Sequence, residues 1–270
     1  MSHFKKSISL CAALIFAHIA CIFAQGTPVR FTAINSTNGL SQNSINVCYK
    51  DKFGLMWFGT QDGLNKYNGY KITVYKHRSN NNRSLPANYI ATICEDADGN
   101  LWIGTRLGGL SKYNRTQDNF TNFKYNAADK ASLSSSNINS IYEDTKGQLW
   151  IGTDNGLNLL DKKTGKFKHF LYTPNSNSGL SNPSVYSIFE SSNHKLWVGT
   201  ASGLNMLNQA TGTFSHFFDK PSSDKNSGRL IWTITEDDQR NLWIGTNKGL
   251  TCLNLQNNSF KSFAVEPDKN

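Results

Sequence analysis

Asn46, Ala91, Asn139, Tyr186 and Trp232 occupy one recurring position, eleven residues before Trp57, Trp102, Trp150, Trp197 and Trp243. The phrase around each of those tryptophans barely changes ("MWFGT", "LWIGT", "LWIGT", "LWVGT", "LWIGT"), whereas the position eleven residues upstream switches between amide, aromatic and small side chains. A position that varies inside a fixed repeat is where a surface adapts to a ligand. Aromatic faces there can stack on sugar rings and amides can hydrogen-bond to hydroxyls, or the same side chains can serve packing inside a channel. A second set follows the repeated Gly-Thr pairs: Asp62, Arg106, Asp154 and Lys248. Their charged ends can reach uronic acid, sulfate or clustered hydroxyl groups, and the alternative is an ordinary solvated turn.

Bond-breaking or metal chemistry has less support. His169 and His216 each lie 19 residues after their tryptophan, but alternation with Phe167 and Phe170, and with Phe214 and Phe217, puts them on outer strands of different repeats. A shared metal is not expected, and no cofactor is expected. Cys48, Cys94 and Cys252 form an odd set without short pairs, neither a disulfide framework nor a metal site. Cys48 falls where the other repeats carry Ile93, Ile141, Ile188 and Ile234, so it reads as a small core hydrophobe. There are no paired carboxylates at one motif and no Ser/His/Asp grouping.

The tryptophans are 45, 48, 47 and 46 residues apart, the mark of a repeat architecture whose units are stabilised by stacking on one another. The third unit contains four short segments rich in β-branched, aliphatic or aromatic residues, at 137–144, 148–153, 156–161 and 167–172, bounded by Gly, Asn, Asp or Lys. No segment has a helical period over a useful length. Two-residue turns ending in Gly, as in "TDNGL" and "TQDGL", are strong hairpin signals, and "TRLGGL" carries one additional residue around Arg106. The expected fold is all-β: a β-propeller of four-stranded blades about a central channel. Five blades are present, at about 44–76, 89–125, 137–172, 184–218 and 230–266, with a leading outer strand at 29–34. In this reading the tryptophans are packing residues, and the acids six positions before them, Asp51, Asp96, Asp144 and Asp237, bind backbone amides in the turn between the first two strands.

The chain has 270 residues, 38% of them hydrophobic and 12% aromatic, which excludes a disordered chain. Lys5 and Lys6 precede the apolar run "ISLCAALIFAHIACIFA", so residues 1–24 read as a signal peptide cleaved after Ala24. Export to the periplasm follows. The run is short for a membrane span, and His18 stands where a lipobox before Cys21 normally has an aliphatic. The formal charge is +9, but the basic residues are scattered through the turns of every repeat rather than gathered into a nucleic-acid footprint.

The pattern "ED-x-x-G-x-LWIGT-x-x-GL" resembles the two-component regulator propeller repeat found in periplasmic sensor regions of hybrid histidine kinases of Bacteroidota. It is carried by the acidic pairs Glu95-Asp96, Glu143-Asp144 and Glu236-Asp237, the five tryptophans, and the five Gly-Thr and five Gly-Leu pairs. The resemblance covers about residues 29–266. It implies an oligosaccharide ligand whose binding regulates glycan use. It also implies a longer parent protein with seven-bladed rings, kinase modules downstream and scope for a homodimer. Because the last repeat has a fourth strand of its own, the leading strand at 29–34 is surplus, so either the ring closes on five blades with a spare strand or, the reading preferred, the five blades are an incomplete part of a seven-bladed ring. No transmembrane segment, phosphoacceptor histidine or ATP-binding region follows them within the 270 residues, so no kinase activity is assigned to them. A secreted propeller enzyme of the sialidase or lyase kind is the main alternative. Against it, the sialidase Asp-box needs an aspartate five residues before the tryptophan, and those positions hold Lys52, Ala97, Thr145, Ser192 and Asp238. A protein-interaction propeller is a third reading.

Overall fold

The computed structural model describes residues 31–174, 176, 178–217 and 230–264; the expected signal segment, 1–24, lies outside them. Each repeat folds into four strands. Blade one holds β1 (Ile45–Lys50), β2 (Met56–Thr60), β3 (Gly63–Tyr67) and β4 (Ile72–Tyr75), and blade two holds β5 (Ile90–Glu95), β6 (Leu101–Thr105), β7 (Gly109–Asn114) and β8 (Asn119–Phe123). Blade three holds β9 (Ile138–Glu143), β10 (Leu149–Thr153), β11 (Gly156–Asp161) and β12 (Lys166–Phe170), and blade four β13 (Val185–Glu190), β14 (Leu196–Thr200), β15 (Gly203–Asn208) and β16 (Thr213–Phe217). Blade five holds β17 (Ile231–Glu236), β18 (Asn241–Thr246), β19 (Gly249–Asn254) and β20 (Phe260–Ala264). Each blade is an antiparallel meander in chain order. All lie in one compact unit that starts at Asn35. The strand expected over 29–34 is not formed in its described part, because residues 31–34 belong to no strand and every sheet is complete in four strands of its own repeat.

The repeated phrase has a mechanical cause at every position. Asp144 closes the turn between β9 and β10 by accepting the Lys146 and Gln148 amides at 3.0 and 2.9 Å on Oδ1, while Oδ2 accepts the Trp150 indole N–H at 2.8 Å. Asp51, Asp96 and Asp237 receive the indoles of Trp57, Trp102 and Trp243 in the same way, and in blade four the Ser191 hydroxyl receives that of Trp197. The Thr153 hydroxyl donates across the hairpin to the Gly156 carbonyl at 2.9 Å, with the same bond from Thr60, Thr105, Thr200 and Thr246.

Four hydrophobic cores lie between consecutive blades, each built from the tryptophan of one blade and the facing residues of the next. Trp57 packs on Ile90, Ile93 and Leu101, and Trp102 on Ile138, Ile141 and Leu149. Trp150 packs on Val185, Ile188 and Leu196, and Trp197 on Ile231, Ile234 and Leu242. Among the described residues no such core covers the far side of blade five, where Leu250 and Phe263 are exposed and Trp243 is only partly buried. Cys48 is exposed as well, a departure from the core position expected for it. Its counterparts Ile93, Ile141, Ile188 and Ile234 are buried because a preceding blade covers them, and in blade one no described residues do so.

Glycine at the fourth position of the phrase leaves room for the next blade. A Cβ on Gly104 would stand 2.6 Å from Ile138 Cγ2 and 2.6 Å from Thr92 Cγ2, whereas a Cβ on Gly245 would press only on Thr233 of its own blade. Gly104→Ala is expected to destabilise the protein by about 1–3 kcal/mol, and Gly245→Ala by clearly less. Chemical unfolding of the two variants measures the difference, and equal losses would contradict this packing.

Candidate functional site

Each innermost strand carries a β-bulge at one and the same place. The register slips between Ile45 and Val47, between Ile90 and Thr92, between Val185 and Ser187 and between Ile231 and Thr233; in blade three it slips between the partners of Ile138 and Ser140. The residue left out of the ladder is Asn46, Ala91, Asn139, Tyr186 or Trp232. A bulge bends the strand and re-aims the unpaired side chain, and here all five residues line a single cavity of about 400 Å³, together with Tyr89 and Arg106. Every blade therefore contributes to one site. Its volume lies in the range of small-ligand pockets.

Of the seven lining residues three are aromatic (Tyr89, Tyr186 and Trp232) and two are amides (Asn46 and Asn139), with Ala91 and Arg106 completing the set. Tyr186 and Trp232 pack against each other with ring centroids 5.0 Å apart and planes inclined by 53°, so they form an angled wall rather than a continuous platform. Trp232 is 53% exposed, so part of its indole is open to a ligand in the cavity. Asn46 donates its side-chain amide to the Ile90 carbonyl at 2.9 Å, and Asn139 donates to the Val185 carbonyl at 3.1 Å. Both thus tie their blade to the next and leave Oδ1 as an open acceptor among the described residues. Arg106 lies with its guanidinium 5.0 Å from the centre of the Tyr89 ring, and its backbone N–H donates to the Tyr89 carbonyl.

The lengthened turn after β6 shapes the rim. Leu107 is held at φ 66°, a conformation a leucine rarely adopts, and its N–H donates to Asn137 Oδ1 at 2.7 Å. Its side chain is 82% exposed. Asp154 stands behind the lining rather than in it, accepting from Asn139 at 2.8 Å and from Asn137 at 2.9 Å, and so fixes the Asn139 amide. The other two turn residues do not line the cavity. Asp62 is engaged by Lys76 at 2.6 Å and by the Asn88 amide at 3.0 Å, and Lys248 is exposed on blade five.

Tyr89 is the lining residue that the sequence did not point to: it stands just before the strand, thirteen residues before Trp102, where the other repeats carry Ser44, Asn137, Ser184 and Leu230. His169 and His216 sit on β12 and β16. Their Nε2 atoms donate to the carbonyls of Ser132 and Gly179 at 2.6 Å, each fastening a connecting loop on its own blade.

The two-component regulator propeller repeat matches five times, over residues 39–62, 84–106, 132–155, 179–202 and 226–248. A histidine kinase of Formosa agariphila is 34% identical over 81 residues, which is 30% of this chain and 6% of that protein. Among solved structures, the extracellular domain of a hybrid two-component system from B. thetaiotaomicron superposes with a TM-score of 0.75 at 29% identity, over 87% of this chain and 32% of that one. The extracellular domain of a one-component system from the same organism superposes with a TM-score of 0.71 at 22% identity, over 88% of this chain and 34% of that one, a likeness of fold. The chain thus spans about a third of the structures it resembles and a small part of the kinase.

Proposed function

With five of its repeats in register along the chain, this protein belongs to the two-component regulator propeller family, and from that premise we propose that it is a ligand-sensing propeller that binds an oligosaccharide in the cavity at the bulged ends of its innermost strands. The observation that carries the reading is the convergence of one bulged residue from each of five blades on a single wall of aromatic rings and amides. Trp232 and Tyr186 supply stacking faces, Asn46 and Asn139 supply oriented amides, and Arg106 supplies a charge-assisted donor for hydroxyl or carboxylate groups. Similarity to the extracellular domain of a hybrid two-component system supports a place outside the cytoplasm, with the apolar segment 1–24 as the export signal and kinase modules and further blades in a longer parent protein. Among the described residues no helix is long and apolar enough to cross a membrane.

Binding without turnover is the better match to this lining, whose polar groups are amides, a phenol pair and a guanidinium. The acids six positions before the tryptophans are all committed to the turns and indoles of their own blades. Isothermal calorimetry against a panel of plant, algal and host oligosaccharides tests the reading. Trp232→Ala is expected to weaken the responding ligand by at least about 1 kcal/mol, a modest hot-spot loss, and the ligand is expected to be recovered intact. Unchanged affinity in that variant would remove the site assignment, and released sugar product would replace the sensor with an enzyme.

A further inference from the structure

A larger cavity, of about 580 Å³, lies away from the innermost strands, between the loop after β4 and the hairpin of β7 and β8. Arg78, Arg83, His77 and Lys124 line it, with Asn81 and Gln117 among the amides, and its lining contains no carboxylate. An adjoining hollow of about 280 Å³ shares Arg78 and Arg83 and extends the groove towards Tyr75. The one acid in that extension, Asp118, is already neutralised: Lys66 approaches its Oδ1 at 3.1 Å, and the hydroxyls of Tyr75 and Tyr113 donate to the same oxygen.

Among the three junctions whose loops are described, the two arginines are specific to this one. Equivalent loops are fixed by the parallel bridges His77 to Leu85, Tyr125 to Leu133 and Tyr172 to Leu180. One residue after the first partner stand Arg78, Asn126 and Thr173, and two before the second stand Arg83, Ala131 and Ser178. The loops share one scaffold, since the backbone carbonyls of Arg83, Ala131 and Ser178 accept from Phe120, Phe167 and Phe214 of the neighbouring outer strand. Structure therefore asks for no arginine at either position. Neither guanidinium is engaged by a carboxylate among the described ion pairs, in contrast to Arg115, which bridges Asp51 and Glu95 at 2.8 Å.

We propose that this groove between blades one and two is a second binding site, for a saccharide bearing sulfate or carboxylate groups. Paired guanidinium forks hold the anionic substituent bidentately, the surrounding amides hydrogen-bond to sugar hydroxyls, and the net positive charge of the chain raises the local concentration of polyanions. The site is separate from the cavity that contains Trp232, so either can fail without the other.

Calorimetry of the full chain with a sulfated disaccharide, its carboxylate-only counterpart, the neutral parent sugar and inorganic sulfate tests the proposal. Charged disaccharides should bind in preference to both the neutral parent and free sulfate, with affinity that falls as sodium chloride is raised. Arg78→Ala with Arg83→Ala should lower that affinity at least tenfold, Arg78→Lys with Arg83→Lys should restore part of it, and Trp232→Ala should leave it unchanged. The arginines are exposed, so the variants retain the fold, which an unchanged melting temperature verifies. Equal binding of the neutral parent, equal binding of inorganic sulfate, or full affinity in the double alanine variant would each overturn the assignment.

Discussion

Trp150→Ala is expected to lower the stability of the protein by about 3–5 kcal/mol, the range for deleting a large buried aromatic. Its indole is 1% exposed, lies in the core shared by blades three and four, and meets Phe170 at 5.6 Å between centroids. Removal opens a cavity between two sheets and leaves the Asp144 Oδ2 atom without its indole donor. Trp243→Ala supplies the internal comparison. That residue has the same aspartate bond at 2.7 Å and the stacked contact with Phe263 at 5.7 Å, but no described blade covers it, so its loss should be about 1–2 kcal/mol, within the contribution of partial apolar burial. Urea unfolding of both variants makes the measurement. Equal losses at the two positions would mean that the tryptophans do not act through the neighbouring blade.

Asp96→Ala should cost roughly 2–4 kcal/mol, because it strips acceptors from the buried Trp102 indole and the Asn100 amide together and removes one of the two carboxylates beside Lys162. Protonation removes part of the same set. Burial pushes the Asp96 carboxyl up, but the Trp102 indole, the Asn100 amides and the Lys162 ammonium outweigh it and hold it below the ordinary carboxylate value. Asp51 is held down likewise, burial being outweighed by Trp57, Arg115 and the Leu55 amide. A folded value below the unfolded one means that the stabilisation is complete above the unfolded value of ~4 and is lost as pH falls through the folded value. Stability measured between pH 7 and 2 should therefore drop in the acid range, and Asp96→Asn should flatten part of that drop. Ser191→Ala should leave the acid profile unaltered, since blade four holds Trp197 with a neutral hydroxyl. An acid profile unchanged by Asp96→Asn would overturn this assignment.

The four-stranded blades were legible because their signals are local: the tryptophan phrase, Gly-terminated turns and short alternating strands each lie within one repeat. The bulged positions were legible for a related reason. Asn46, Asn139, Tyr186 and Trp232 vary at a fixed offset from the constant tryptophan phrase, and the cavity gathers them with Arg106. What the repeat did not disclose depends on contacts outside the local pattern. Asp154 has the right offset, yet it turns back to orient Asn139, and Asp62 is drawn to Lys76, which follows the outer strand β4. Tyr89 enters the site from a connecting segment, and the exposure of Cys48 depends on what covers a face rather than on its place in the strand. The acidic pairs were read for their aspartates alone. Their glutamates, and Glu190 beside Ser191 in blade four, bind across the junction, where Glu95, Glu143, Glu190 and Glu236 accept the N–H of Lys52, Ala97, Thr145 and Ser192 at 2.8, 2.5, 2.6 and 2.6 Å.

Those glutamates give assembly a direction. In every junction the acceptor comes from the later blade and the backbone donor from the earlier one, while Lys50 occupies the corresponding place in blade one. A chain that emerges from its amino end thus finishes each sheet before the residue that fastens it has been delivered, and gains the fastening 43 to 46 residues later. Growth resembles tiling from one end, with every new tile bringing its own clip and no need to wait for distant parts of the chain. The contact order stays low for an all-β protein, and the exposed sheet at any moment is one blade wide, which limits the surface open to aggregation during synthesis.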